Sequence, residues 1–271
     1  MIEKNREWYR AIFIRHSRRK YSSTPIDKEK LDSLSELIDE LNRNTRGARI
    51  ALVRTHDGSI FSGIRGGYGV IKGAPAYLAF IAEPQTPGSY ERLGYTGEAA
   101  VLKATALGLG TCWVSGTFDP KAAAGKLELN AQENLVAVSP LGYPKDSYSF
   151  TEKLMSGFAG SRKRKPIEQL YAGTPLQEWP SWARTAAEAA RIAPSAMNRQ
   201  PWIFRYDGRE LSVETAGADS GGAEVRYSKR LDCGIALRHL EIGVQQEIRE
   251  AVSVNFYPAP RVAGISVNSP V

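Results

Sequence analysis

From residue 28 the chain places Leu31, Leu34, Leu37, Ile38 and Leu41 at intervals of three and four, with charged residues between them. That spacing predicts an amphipathic helix over 28–42, entered through Thr24-Pro25-Ile26-Asp27 with Asp27 as its N-cap. Residues 6–14 show the same period more briefly, with Trp8, Ile12 and Phe13 or Tyr9 on one face. The short apolar runs 49–54 (RIALVR), 76–82 (AYLAFIA) and 135–140 (LVAVSP) predict strands. Gly63, Gly66, Gly67, Gly69 and Gly73 make the stretch between the first two irregular. The Ala- and Leu-rich run 96–108 predicts a buried helix that stops at Gly108 or Gly110.

A break follows. Residues 145–165 are polar and basic, and 173–181 (GTPLQEWPS) carry two prolines. The pattern then starts again. An Ala-rich helix is predicted over 181–192, and strands over 202–206 and 211–215 joined by the turn Asp207-Gly208. After a loop at 216–230 come a helix over 232–248 and a final strand over 252–257. Helix, strand, long helix and strand thus occur twice, which predicts an α+β chain of two halves, with only weak sequence similarity between them.

Composition narrows the function classes. The 271 residues are 42% hydrophobic and 24% charged, enough for one large domain or two modest ones with a sizeable core. No apolar run reaches the roughly 18 residues a membrane helix needs, and the charged N-terminus MIEKNREWYRAIFIRHSRRKY has no signal-peptide core. The expectation is a cytoplasmic protein that avoids membranes. Cys112 and Cys233 have no CxxC spacing and no nearby histidine, so they read as packed thiols and not as a disulfide or metal site. The net charge of +7 gathers in two short clusters, Arg15/Arg18/Arg19/Lys20 and Arg162/Lys163/Arg164/Lys165. Two clusters beside ordered segments suit a phosphate-bearing ligand more than a nucleic acid; taken singly, each is equally readable as solvated surface.

Two segments carry candidate chemistry. In Arg15-x-Ser17-x-Arg19, alternate residues share one side of an extended segment, so two guanidinium forks and a hydroxyl can face a phosphate together. In Pro194-Ser195-Ala196-Met197-Asn198-Arg199-Gln200-Pro201-Trp202, amides and a hydroxyl on a turn between helix and strand could meet the polar rim of a planar heterocycle. A plain helix–strand corner, with Asn198 in a left-handed turn, fits the same residues. His16, His56 and His239 are too scattered for a catalytic dyad.

APSAMNRQPW resembles the APSxxNxQPW signature of the nitroreductase family, and RHSRRKY its N-terminal R-x-S-x-R motif. Gly108-Leu109-Gly110-Thr111-Cys112-Trp113, Leu141-Gly142-Tyr143-Pro144 and Arg162-Lys163-Arg164-Lys165-Pro166 are similar to further family segments. The resemblance implies an FMN site. Arg15, Ser17 and Arg19 would hold the phosphate and ribityl chain with Arg162 and Arg164, and His16 would lie beside them. Trp113, Ser115 and Gly116 would follow the flavin edge, with a backbone N–H of Ser115 or Gly116 facing N5. Pro194, Ser195, Ala196 and Asn198 would cover the ring. For Trp113, core packing is the competing reading, and Gly67 or Tyr68 could approach the ring ahead of the second strand.

The order of the motifs departs from the usual one. Family members place APSxxN soon after RxSxR; here it follows the LGYP and RKRKP segments. The chain thereby resembles the single-chain, duplicated branch, in which two subunit-like halves form an intramolecular pseudo-dimer: residues 1–172 with the phosphate and N5 side, residues 173–271 with the ring cap. One FMN per monomeric chain follows. The implied activity is ping-pong hydride transfer from NAD(P)H through N5 to a nitro, quinone or similar small-molecule acceptor, without a catalytic side chain or metal. Flavin fragmentation, dehalogenation, or a non-catalytic flavin-binding or redox-sensing role stay open on the same fold.

Overall fold

The computed structural model describes residues 2–55, 59–61, 71–145, 163–217, 228–249 and 252–267. The first sheet holds β1 (Ala48–Arg54), β2 (Ala76–Ala82) and β3 (Asn134–Leu141), in that order and antiparallel. The second holds β4 (Trp202–Tyr206), β5 (Glu210–Thr215), β6 (Ser253–Phe256) and β7 (Arg261–Ser266), ordered β4-β5-β7-β6, again antiparallel. The helices are α1 (Ile2–Ile14), α2 (Lys28–Arg43), α3 (Ser89–Ala106), the short α4 (Pro120–Ala124), α5 (Ser181–Arg191) and α6 (Lys229–Ile248). The architecture is α+β, as the doubled pattern predicts.

Each sheet is closed by its own helices. Leu34 and Ile38 of α2 and Leu93 and Val101 of α3 pack with Leu78 and Phe80 of β2. Ala186 and Ala190 of α5 and Leu237 and Leu240 of α6 pack with Trp202, Phe204 and Val213 of the second sheet. β2 is buried at every position because Tyr77 and Ala79, on its other face, join a further cluster with Ile60 and Phe118. That two-sided burial is why its sequence is a continuous apolar run without alternation.

The two units meet where α3 crosses α6, and glycine sets the distance. A Cβ on Gly94 would lie 2.1 Å from the carbonyl oxygen of Leu231, and one on Gly234 2.0 Å from that of Glu91. Neither position admits a side chain unless the helices separate. The contact is reciprocal: each glycine touches the residue three positions before the other, the self-complementary pattern of a twofold contact. Trp8, Ala11 and Ile12 of α1 then cover the junction with Ala99, Ala189 and Ile242.

Several expectations need correction. Asp27 stands at the N-cap position of α2 but makes no side-chain cap; its carboxylate instead accepts from the Tyr143 hydroxyl at 2.7 Å. Phe13 is 53% exposed, so the buried face of α1 is Trp8, Ala11 and Ile12. α3 begins at Ser89, seven residues before the Ala-rich run, because its first turns, with weak helix formers such as Gly94, are held by packing on α6. It ends as the sequence predicts: Gly108 has φ +80°, and the N–H groups of Gly108 and Leu109 reach back to Thr105 and Ala104 at 2.9 Å. α6 starts at Lys229, where the Ser228 hydroxyl accepts from the Arg230 and Leu231 N–H groups. β7 was not expected, and it, rather than the predicted final strand, pairs with β5. Most of the basic segment 145–165, the glycines at 63–69, Tyr68 and His56 lie outside the described residues.

Candidate functional site

The segment after α1 is extended and pinned along its length. Arg18 N–H donates to the Thr111 carbonyl at 2.8 Å, Lys72 N–H to the Arg19 carbonyl at 3.0 Å, and Ser22 N–H to the Tyr143 carbonyl at 2.8 Å. Ser17 pairs alongside Thr111. Two glycines let the segment through. A Cβ on Gly110 would meet Arg18 Cβ at 3.1 Å, and one on Gly142 would meet Pro75 at 2.7 Å and the Tyr21 ring at 3.1 Å. The RxSxR, GLGTCW and LGYP motifs are thus one contiguous surface.

The basic segment and the turn after α5 form a second surface. Lys165 N–H donates to Gln200 Oε1 at 2.8 Å, the Asn198 amide nitrogen to the Lys163 carbonyl at 2.8 Å, and Arg164 Nη1 to Asn198 Oδ1 at 2.9 Å. Arg164 Nη2 also donates to the Ile192 carbonyl at 3.1 Å, at the end of α5. The turn itself is strained: Met197, Asn198 and Gln200 have φ of 53°, 56° and 49°, a region that costs non-glycine residues energy and clusters at functional sites. Its hold is Asp232 in the first turn of α6, buried, which accepts from Ala196 N–H at 3.0 Å and Arg199 Nη2 at 2.9 Å. Ser195 Oγ accepts from Gln200 N–H at 2.9 Å and Pro194 is buried, while Met197 is 60% exposed.

Arg15 and Arg164 join the two surfaces electrostatically. Burial, then the charges of Arg15 and Arg191, push the Arg164 guanidinium down from 12.5 to about 10, so it remains cationic at neutral pH. Arg15 is itself only 8% exposed, and its Nε and Nη1 are buried with no hydrogen-bond partner among the described residues. Like charges at low solvent exposure repel, and an unmet donor costs about 1–3 kcal/mol or more for a charged group. An anion placed there removes both penalties. The pair Arg15 and Arg164 therefore fits an anion such as a phosphate group, with Ser17 and Arg19 on the segment that follows Arg15; Arg162 lies outside the described residues. His16 is exposed beside it.

Trp113 stands at the far end of the same surface. Its ring stacks on Phe80 at 3.9 Å and 18°, and its Nε1–H donates to Glu98 Oε2 at 2.7 Å. Its indole N–H is thus committed inward, and the residue packs; Val114 bridges Val138 of β3, and the half-buried Ser115 and Gly116 bend away after it. Glu98 Oε1 meets His239 Nε2 at 2.9 Å, and His239 Nδ1 meets the Ala189 carbonyl at 3.0 Å. Glu98 and His239 are both fully buried.

Sequence reading missed Asp232, Glu98 and the role of Gln200. The one available signal was Glu98, the single acid of the Ala- and Leu-rich run 96–108, since such a group needs a partner when buried. Asp232 carries no comparable mark, because an acid in a helix's first turn is ordinary. Among the described residues no cluster of His, Cys, Asp and Glu could hold a metal, and no helix is long and apolar enough to cross a membrane.

No curated protein matches this chain in sequence. Solved structures do. A "putative nitroreductase" from Thermotoga maritima is 23% identical, with 97% of this chain and 94% of that one covered at a TM-score of 0.64, which establishes a shared fold. A nitroreductase family protein from Clostridium novyi (24% identity; 64% of this chain and 98% of that one; TM-score 0.42) and an FMN-bound nitroreductase from Desulfitobacterium hafniense (17%; 52% and 90%; 0.41) match more loosely. The model of one family, described as "Putative TM nitroreductase", matches residues 7–244. With most of its length inside that match, this chain belongs to the nitroreductase family.

Proposed function

We propose that this chain is an FMN-dependent oxidoreductase that takes reducing equivalents from NAD(P)H and passes them to a nitro, quinone or similar acceptor, with one FMN per chain. The observation that carries the reading is the buried Arg15 guanidinium, whose Nε and Nη1 have no partner among the described residues, set against the Arg164 charge. Arg15, Ser17, Arg19 and Arg164 hold the phosphate, through charge-assisted bonds that are stronger than neutral ones. Ser115 and Gly116 line the edge of the ring, and the turn Pro194–Asn198 covers it. When bound, FMN supplies hydride chemistry at N5. The chain's own part is to bind, orient and shield. The strained turn is fixed by Asp232, so the cap is already in place before the cofactor arrives. Buried cations favour added negative charge in the site.

The same reading has two subunit-like halves, 1–172 and 173–271, acting as an intramolecular pseudo-dimer in a monomeric chain. The reciprocal glycine contacts of α3 and α6 support it, as does an antiparallel sheet in each half. The phosphate donors come from the first half and the cap from the second.

The test is to purify the protein, reconstitute it with FMN, and measure the flavin-to-chain ratio and the mass in solution. One FMN per monomer, with NAD(P)H consumed in the presence of a nitroaromatic or quinone, is the expected result. A folded protein that takes up no FMN, or two per chain, sinks the proposal.

A further inference from the structure

A chain of hydrogen bonds, fully buried at Glu98 and His239, runs from the half-buried Trp113 to Glu98, on to His239, and ends on the carbonyl of Ala189. Its members come from four places: the turn after α3, α3 itself, α6 and the last turn of α5. Trp113 precedes Ser115 and Gly116. Ala189 stands five residues before Pro194, where the cap begins. The chain thus begins beside one wall of the proposed flavin pocket and ends beside the other.

The donors can be counted. A carbonyl only accepts, so His239 Nδ1 carries a hydrogen toward Ala189. Trp113 Nε1 only donates, so Glu98 Oε2 accepts. The contact between Oε1 and Nε2 then holds one proton, on the carboxyl or on the imidazole, and every polar atom in the line is met. The Ala189 carbonyl is among the orphans that a helix C-terminus leaves, so His239 also caps α5. A cavity-filling role alone would need none of this directionality.

We propose that Glu98 and His239 are positioning residues for the flavin pocket, a buried polar pair that fixes the Trp113 run and the 194–198 cap relative to each other. This rests on the FMN reading above. Neither residue touches the cofactor; both act through the backbones they hold, as outer partners orient the groups that touch a ligand.

The experiment uses the full-length protein and FMN as the probe, with binding followed by flavin fluorescence and geometry by visible circular dichroism of the bound flavin. If the wild-type protein takes up no FMN, the reading of the site fails, and this proposal fails with it. If the wild type binds, Glu98→Leu, which removes both contacts, is expected to weaken FMN about 10-fold, or ~1.4 kcal/mol, and to alter the flavin dichroism band. Glu98→Gln keeps an acceptor for Trp113 and a donor for His239, and is expected to stay within about threefold of wild type with the band restored. If Glu98→Leu does not fold, His239→Gln replaces it, since a single amide cannot span Glu98 and Ala189 as the ring does; the same weakening and band change are expected. Wild-type affinity and dichroism in the leucine or glutamine-at-239 variant, even with lowered thermal stability, would show a structural role only and overturn the proposal. So would Glu98→Gln behaving like Glu98→Leu.

Discussion

Two arginines are held in opposite states. The buried Arg15 has no partner for Nε and Nη1 among the described residues, and its charge acts on Arg164. Arg230 is satisfied from every side. It donates to Glu91 from Nε at 3.0 Å and from Nη2, to the Arg261 carbonyl at 3.0 Å, and to the Tyr257 carbonyl at 2.7 Å. A cleft of about 420 Å³ remains there, bounded by Pro87, Arg92, Phe256 and Arg230, but Arg92 is spent on the Pro87 carbonyl and the Phe256 ring. A buried cation whose donors are met closes a space; one whose donors are unmet asks for an anion. That difference is why the proposed flavin site is placed at Arg15 and not at Arg230.

The sharpest way to test the contrast is Arg230→Ala. It leaves Glu91 buried without its partner and is expected to cost about 3–5 kcal/mol of stability in denaturant titration, with the FMN ratio of the surviving folded protein unchanged. Loss of flavin in step with stability would break the comparison. Arg15→Ala with Arg164→Ala acts on the other cations. Removing two charge-assisted contacts should weaken FMN by on the order of 100-fold in fluorescence titration, about 2.7 kcal/mol. Arg15→Ala alone should leave stability little changed or raise it, since a like-charge repulsion and two unmet donors disappear, whereas Arg164→Ala also removes the bonds to Asn198 and the Ile192 carbonyl and should lower it. Tight FMN retention in that double variant would refute the phosphate assignment. Gly234→Ala places a methyl against the Glu91 carbonyl. It should lower stability by about 1–3 kcal/mol, as read by denaturant titration. Ser17→Ala is the mildest change: a neutral hydroxyl contact is worth about 0.5–1.5 kcal/mol, so FMN binding should weaken about 3- to 10-fold with no change in melting temperature.

Much of the fold was legible because local rules decided it. The spacing of Leu31, Leu34, Leu37 and Ile38 gives a helix whose buried face is those residues. Gly108 stops α3 where a left-handed residue was needed. What local rules cannot reach is where packing overrides propensity: the first turns of α3, held against α6 through Gly94, and β7, whose place between β5 and β6 depends on a long-range pairing. In the site, motif spacing identified the segments that come together, Arg15–Arg19 beside Thr111, and Arg164 beside Asn198. It gave no means of finding Asp232, which anchors the cap from a helix 33 residues beyond Arg199.

The sequence by itself determined the family, the α+β pattern repeated along the chain, and the segments that build the site, because those depend on side-chain type and short-range spacing. The tertiary structure decided the rest. It set Trp113 inward on Phe80 and Glu98, committed Asn198 to Arg164 and the Lys163 carbonyl, left two Arg15 donors unmet among the described residues and saturated Arg230. The physical reason is the same in each case. A residue's type fixes which bonds it can make, but which partner removes it from water depends on elements that meet only after folding.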